Sequence, residues 1–187
     1  MIKHLCIFAS GTGSNAQKIV DYFRGNNDIL VKLIVTNNPT AGVLSIAQKE
    51  GITSHILAKK ELASTEFISM LQQESIDLIV LAGFLKLIPR SLINAFANKI
   101  VNIHPALLPK YGGKGMYGMN VHKAVKENGD SMSGMTIHFV NERFDEGEHI
   151  FQASCAILPE DTAKMIAQKV LQLEHKHYAV VIEKLLA

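Results

Sequence analysis

Short apolar runs typical of buried strands alternate with amphipathic segments typical of helices, and this alternation constrains the fold more than any other feature. The predicted strands cover 4–10, 29–37, 53–57, 77–83 and 99–103. The predicted helices between them cover 14–23, 41–50, 61–73 and 90–97. Continuous apolar strands separated by helices are typical of a parallel sheet that is covered on both faces. The sequence therefore predicts an α/β protein with a mostly parallel sheet.

The pattern changes after Gly113, where two strand-like runs follow each other without a long helix between them. The later elements are a helix over 120–127, strands over 131–140 and 149–157, and a final helix over 161–186. This spacing favours an antiparallel hairpin added to the sheet, and Asp161 or Thr162 is the expected cap of the closing helix. No internal repeat or linker interrupts the chain. We therefore expect one domain over 1–187, with a twisted Rossmann-like sheet flanked by helices, a C-terminal antiparallel hairpin and a closing helix.

The composition is that of a folded protein with no strong charge. The chain has 187 residues, of which 48% are hydrophobic and 19% charged, enough for one substantial core. The net charge is +2 with scattered basic residues, which argues against a nucleic-acid partner. The two cysteines, Cys6 and Cys155, are far apart and lack metal-ligand spacing. With no signal peptide and no run of roughly 18 apolar residues, we expect a cytoplasmic protein without a membrane partner.

The stretch NIHPALLPKYGG sets an amide and an imidazole at the exit of an apolar strand. Side chains alternate faces along a strand, so Asn102 and His104 are expected on the same side. Pro105 and Pro109 end the ladder and hold the next segment as a loop. Strand ends of this kind bind ligands in open α/β sheets, where an amide can donate to a developing oxyanion and an imidazole titrates near neutrality. The alternative is that both side chains only satisfy loop carbonyls.

A glycine loop, SGTGSN, follows the first predicted strand over 10–15. Glycines at a strand–helix junction let backbone N–H groups approach a phosphate at the helix N-terminus. The dinucleotide fingerprint is incomplete, because Ala16 replaces its third glycine and no acidic residue ends the second strand. The nucleoside-triphosphate motif GK[ST] is missing as well. A phosphate monoester fits better, and the alternative is a tight turn with no ligand.

Asp145 lies in the connection between the two late strands, where Gly147 lets the loop turn back. A carboxylate beside an imidazole favours the charged ring and orients it. No Ser or Cys stands at a plausible attacking position, so no covalent nucleophile is predicted. The pattern favours direct attack by a substrate amine on an acyl carbon, with Asn102 and protonated His104 stabilising the oxyanion and Asp145 helping to move the amine proton. The alternative for Asp145 is an ordinary turn residue.

Five separated stretches of the sequence occur in the order of a known family. They are SGTGSN, VLAGFLKLIP, NIHPALLPKYGGKGMYG, VH and SGMTIHFVNERFDEG. Together they resemble the phosphoribosylglycinamide formyltransferases of purine biosynthesis, over nearly the whole chain from about Ile2 to Glu183. The resemblance implies the formyltransferase fold. It also implies transfer of a formyl group from 10-formyltetrahydrofolate to the glycinamide amine of phosphoribosylglycinamide, with tetrahydrofolate as the second product.

The resemblance also implies roles for individual residues. Those that match the family's catalytic Asn, His and Asp are Asn102, His104 and Asp145. Those that match its ribose-phosphate loop and its substrate-contacting glutamate are Gly13, Ser14, Asn15 and Glu174. Those that match its folate pocket are Leu85, Lys86, Leu87, Ile88, Val140, Asn141, Glu142, Arg143 and Phe144. An apolar cleft with exposed backbone amides suits a flat pteridine, although without the resemblance the LKLI stretch would be interpreted as ordinary core after a strand.

One segment departs from the family pattern. GGKGMYGMNVH, from Gly112 to His122, is longer and richer in glycine than in some bacterial members. Its contacts with substrate therefore stay open. His122 either reaches the site or lies on a helix surface.

Three other functions share parts of this pattern. Methionyl-tRNA formyltransferase has the Asn-x-His-Pro stretch but adds a nucleic-acid-binding domain, for which this length leaves no room. Formyltetrahydrofolate deformylase has the same Asn, His and Asp and uses water as acceptor, but usually has an N-terminal regulatory domain, whereas here the catalytic pattern begins at Met1. An inactive phosphate- or folate-binding module would keep both loops. We expect the transferase, with two small-molecule substrates, no metal, no nucleic acid, and a monomeric or homodimeric state.

Overall fold

The computed structural model describes residues 1–187, which build a seven-stranded sheet. The strands are β1 (Lys3–Phe8), β2 (Ile29–Thr36), β3 (Thr53–Ile56), β4 (Ile76–Leu81), β5 (Ile100–His104), β6 (Met132–Phe139) and β7 (His149–Ala156). They lie in the order β3-β2-β1-β4-β5-β6-β7. The pairs among β1 to β5 are parallel, whereas β5–β6 and β6–β7 are antiparallel. The predicted sheet and C-terminal hairpin are confirmed, with strand ends within two residues of those expected.

Helices cover both faces of the sheet, as the apolar strands require. The helices are α1 (Ser14–Phe23), α2 (Val43–Glu50), α3 (Thr65–Gln73), α4 (Arg90–Ala95), α5 (Met119–Glu127) and α6 (Ala163–Leu186). In β1, Leu5 and Ile7 pack in a cluster with α1, α2, α5 and α6, while Cys6 and Phe8 pack in a second cluster with α3 and α4. All four side chains are fully buried, which explains the uninterrupted apolar run. None of the helices combines the length and the apolar composition that crossing a lipid bilayer requires.

The helix predicted over 61–73 is two elements, a 3₁₀ turn at Glu61–Ala63 and the helix α3. Ser64 separates them, because its backbone is extended (φ −77°, ψ 150°). Its hydroxyl accepts a hydrogen bond from the Phe67 N–H at 3.1 Å. A serine that bonds the backbone three residues ahead starts a helix and does not continue one.

The closing helix begins two residues later than predicted, at Ala163. Thr162 is its N-cap, with the hydroxyl accepting from the Met165 N–H at 3.2 Å. The other candidate, Asp161, accepts from the Leu158 N–H at 2.8 Å and forms an ion pair with Lys169. The cap predicted for this helix is therefore the threonine, and the aspartate stabilises the preceding turn.

Two further helices are shorter than predicted. α2 begins at Val43, because the residues before it form a turn after β2. α4 ends at Ala95, because Phe96 leaves the helical conformation (φ −124°, ψ 48°) and its ring is buried against the sheet. In both cases residues that the apolar pattern assigns to the helix form a local turn or a core contact instead.

The carboxyl ends of β1, β4 and β5 meet at one edge of the sheet. β1 neighbours both β2 and β4, so the chain moves outward in opposite directions from this point. A switch in strand order leaves a crevice between the two sets of crossover connections. The fold therefore provides a ligand cleft beside the glycine loop and the end of β5.

Candidate active site

Three polar side chains meet at this crevice. Asn102 and His104 project together from β5, and Asp145 reaches them from the β6–β7 connection. The Asp145 Oδ1 atom lies 3.4 Å from His104 Nδ1 and 3.5 Å from Asn102 Nδ2. The His104 and Asp145 side chains are only 4% and 9% exposed. The expected juxtaposition of amide, imidazole and carboxylate is present, with both donors directed at one oxygen.

Both ring nitrogens of His104 face acceptors. Nε2 lies 2.8 Å from the backbone carbonyl oxygen of Tyr111, and Nδ1 lies 3.4 Å from the Asp145 carboxylate. The ring is therefore held in place between a carbonyl and a carboxylate, and either nitrogen can donate to its neighbour.

Asp145 is adapted to remain ionised. Burial raises the pKa of its carboxyl, but the neighbouring His104 ring and the Gly113 N–H, 2.9 Å from Oδ2, more than offset this, so the pKa lies well below its ordinary value. The Asp145 backbone also adopts a left-handed conformation with φ 59°. A carboxyl this acidic binds a proton only transiently, so it keeps a negative charge beside the His104 ring.

His138 is a fourth member of the site that the sequence analysis missed. It stands opposite Asn102 in the β5–β6 ladder, 2% exposed, and its Nδ1 donates to the Phe139 carbonyl at 2.8 Å. The other nitrogen, Nε2, then accepts a hydrogen bond from Asn102 Nδ2 at 3.1 Å. This bond fixes which way the Asn102 amide faces. A histidine inside the apolar strand TIHFV was the available signal, but its partner depends on strand register.

A cavity of about 780 Å³ opens beside these side chains and includes them in its wall. Its volume is within the range of small-molecule sites, about 300–1,000 Å³. The residues assigned to substrate binding by resemblance that line it are Asn15, Glu174, Leu85, Lys86, Leu87, Ile88, Val140, Asn141, Arg143 and Phe144. The leucines Leu85 and Leu87 and the ring of Phe144 remain exposed in the cleft.

Three residues assigned to binding do not line this cavity. Gly13 has φ 81°, and a Cβ there would lie 2.9 Å from Val43 and Ile46, so its backbone packs against α2. Ser14 is exposed at the start of α1. Glu142 points to an exposed ion pair with Arg90, at 3.0 Å. The glycine loop over 10–15 is thus adjacent to the cavity and contributes Thr12 and Asn15 to its lining.

Three polar side chains of the cavity lining, Asn15, His122 and Glu174, are buried or half-buried. Glu174 is 7% exposed and accepts from Asn15 Nδ2 at 2.7 Å. Burial raises the pKa of Glu174, against opposing contributions from Asn15 and the charge of His104. The Asn15 Oδ1 and His122 Nδ1 atoms are buried and bond to nothing in the protein. His122 therefore lies in the cavity wall and not on an open helix surface, and burial and then the His104 charge lower its pKa.

Glu174→Gln is expected to stabilise the protein at pH 7, because it removes the need to ionise a buried carboxyl. The folded-state pKa of Glu174 lies above its unfolded value, so the free energy of unfolding falls as pH rises from the unfolded pKa through the folded pKa. The amide keeps an acceptor for Asn15. We expect calorimetry to show Tm higher by about 2–4 °C at pH 7, the shift given by about 1 kcal/mol in a chain of this size. The difference in Tm between variant and wild type should be smaller at pH 4. An equal difference at both pH values would contradict the raised pKa of Glu174.

A mostly parallel α/β sheet with an asparagine and a histidine at one strand's carboxyl end, an aspartate in a neighbouring loop and a cleft beside them has the architecture of a protein of Rossmann-like fold that acts on small molecules. Comparison with known proteins gives the particular family. The chain belongs to the formyl transferase family, whose sequence model matches residues 3–182.

Individual relatives agree with this assignment. The chain is 43% identical over 189 residues to the chloroplastic phosphoribosylglycinamide formyltransferase of Arabidopsis thaliana, covering 96% of this chain but only 64% of the plant protein. It is 36% identical over 191 residues to the phosphoribosylglycinamide formyltransferase of Bacillus subtilis, covering 99% and 95%. The crystal structure of glycinamide ribonucleotide transformylase 1 from Geobacillus kaustophilus superposes with a TM-score of 0.89 at 35% identity, covering 100% of both chains.

Proposed function

We propose that this chain transfers a formyl group from 10-formyltetrahydrofolate to the glycinamide amine of 5'-phosphoribosylglycinamide. The products are formyl-phosphoribosylglycinamide and tetrahydrofolate, as in de novo purine biosynthesis. The observation that carries the proposal is the convergence of Asn102 and His104 on one oxygen of Asp145, in the wall of a cavity that polar and apolar side chains line together. The names of the relatives support the same substrates.

The lining of the cavity suits two different substrates. Asn15 and Glu174 offer an amide and a carboxyl group close to the N-terminus of α1, where backbone N–H groups favour a phosphate. Leu85, Leu87 and Phe144 expose apolar surface that a flat pteridine would cover. The ribonucleotide therefore enters beside the glycine loop and the folate beside β4, with the reacting amine and formyl group between them.

The donors for the oxyanion are Asn102 and His104. Their distances to Asp145 Oδ1, 3.5 and 3.4 Å, exceed the about 2.7–2.9 Å of a strong charge-assisted hydrogen bond. Their hydrogen bonds to the carboxylate are therefore weak. When the amine attacks the formyl carbon, both side chains can donate a hydrogen bond to the negative oxygen that forms beside them.

Asp145 links the two proton transfers of the reaction. The attacking amine must lose a proton, and the departing folate nitrogen must gain one. The Asp145 carboxylate can accept the proton that the amine loses, and the proton can then be delivered to the departing folate nitrogen. Its lowered pKa keeps it from retaining that proton, and its charge keeps His104 an imidazolium throughout.

This mechanism assigns no step to a metal ion or to a nucleic acid. A monomeric or homodimeric state and a cytoplasmic location stay predictions, as do the binding roles of Gly13, Ser14 and Glu142. Each of these can be checked independently of the chemistry.

The test is folate release, followed by absorbance with purified protein and 10-formyltetrahydrofolate. We expect release only when phosphoribosylglycinamide is supplied, with the formylated ribonucleotide identified by mass spectrometry. Release with formate as product in the absence of the ribonucleotide would indicate a deformylase. Folate binding without release under either condition would indicate a binding module.

A further inference from the structure

One short segment, 111–113, contacts both members of the His104–Asp145 pair. The Tyr111 carbonyl oxygen accepts from His104 Nε2 at 2.8 Å, and the Gly113 N–H donates to Asp145 Oδ2 at 2.9 Å. A displacement of this segment would therefore move the imidazole and the carboxylate together. The orientation of the reacting groups depends on what holds the segment in place.

The backbone of this segment has an unfavourable conformation that needs support from other contacts. Tyr111 has φ 58°, a left-handed conformation that residues with a side chain rarely adopt and that persists only where surrounding contacts impose it. The neighbouring Gly113 also has a positive φ, 94°. Contacts from another part of the chain are therefore required.

The Tyr111 side chain supplies such a contact. Its hydroxyl donates to Asp130 Oδ2 at 2.9 Å, and Asp130 lies in the turn between α5 and β6. Asp130 Oδ1 accepts from Asn128 Nδ2 at 2.8 Å, which fixes the carboxylate. Burial and the Asp130 carboxylate raise the pKa of Tyr111, so the phenol remains a donor at neutral pH. Lys110 adds only an exposed pairing at 3.5 Å.

We propose that the Tyr111–Asp130 hydrogen bond is a clamp that positions the His104 imidazole from outside the substrate cavity. Neither side chain lines that cavity, so both are positioning residues and neither touches substrate. The clamp fixes the Tyr111 carbonyl at the distance at which His104 Nε2 donates to it. It thereby directs the other nitrogen, Nδ1, toward Asp145 and the reacting carbon. The expected effect of the clamp on turnover rests on the proposed function. Its expected effect on the position of the His104 ring does not.

The decisive experiment observes the His104 ring directly by NMR of ¹⁵N-histidine-labelled protein. The chain has eight histidines, and the His104→Gln spectrum assigns the one of interest. In Tyr111→Phe, which keeps the backbone carbonyl and removes only the hydroxyl, we expect the Nε2 proton to exchange with solvent at least about tenfold faster. Asp130→Ala should give the same change from the other side of the bond. The double variant should add nothing to either single one, since all three lose the same contact.

Lys110→Gln is the matched control, because it removes a different contact of the same carboxylate. The His104 signals should then be unchanged. For turnover, Tyr111→Phe is expected to lower kcat about tenfold, as a slightly displaced reacting group would, with KM for both substrates within about twofold. A purely structural hydrogen bond would lower Tm and leave the ring and kcat alone.

Unchanged His104 signals in folded Tyr111→Phe and Asp130→Ala proteins would overturn the clamp. A wild-type chain that transfers no formyl group would contradict the proposed function only. The NMR comparison would still decide the clamp in that case, because it uses neither substrate.

Discussion

His104→Ala is expected to lower kcat for formyl transfer about a thousandfold while leaving folate affinity within about threefold of the wild-type value. The variant removes the charged donor nearest the site of oxyanion formation and leaves Asp145 without its main counter-charge. Folate contacts are expected to persist, because the apolar surface that Leu85, Leu87 and Phe144 expose in the cavity does not include the imidazole. Single-turnover kinetics and a folate titration measure the two effects separately.

His4→Ala is the control for the loss of an imidazole. His4 lies near the start of β1, at the end of the sheet away from the cleft, where its Nδ1 contacts the Glu74 carbonyl. Its turnover should equal that of the wild type. If His104→Ala retained more than about a tenth of kcat, the residual stabilisation would have to come from Asn102 alone, and the proposed role of the imidazolium would be wrong.

Much of the fold follows from the sequence because the sheet is covered on both faces. Leu5, Cys6, Ile7 and Phe8 are all fully buried, so β1 is a continuous apolar run, and α1 occupies the predicted range Ser14–Phe23. Both faces of the sheet require apolar side chains. The pattern of apolar residues is therefore sufficient to locate the strands and most of the helices.

The errors arise where one local contact outweighs the pattern. The apolar spacing over 61–73 is helical throughout, yet the Ser64 hydroxyl bonds the Phe67 N–H and divides the segment. At α6 the sequence predicts Asp161 or Thr162 as the cap, and the structure selects Thr162, since the aspartate is already bonded to Leu158 and Lys169. Such choices between two possible caps depend on neighbours that only the folded chain provides.

The site shows the same division between local and tertiary information. The period of two in β5 is enough to place Asn102 and His104 on one side. Asp145 was identified as a candidate from its loop, but its approach to both depends on how that loop folds back. His138 and the Tyr111 carbonyl could not be found in this way, because one acts through strand register and the other through its backbone.

Asp145→Asn is expected to lower kcat at pH 7 about a hundredfold to a thousandfold with the fold intact. The amide has no charge to hold His104 as an imidazolium and cannot accept the amine proton. The fold should tolerate the change, because asparagine is among the residues that best adopt the left-handed conformation found here, with φ 59°. It also keeps an acceptor for the Gly113 N–H.

Acid unfolding gives a second readout for the same variant. Because the folded-state pKa of Asp145 is depressed, the stability that it contributes is present above its unfolded pKa of about 3.9 and is lost as pH falls toward the folded value. Asp145→Asn should therefore lose less stability than the wild type between pH 5 and pH 2. Glu148→Gln, at an exposed carboxylate near the end of the same loop, is the control and should change neither turnover nor acid stability. Near-normal turnover in folded Asp145→Asn would show that the imidazolium is held by Tyr111 alone and that the amine proton takes another route.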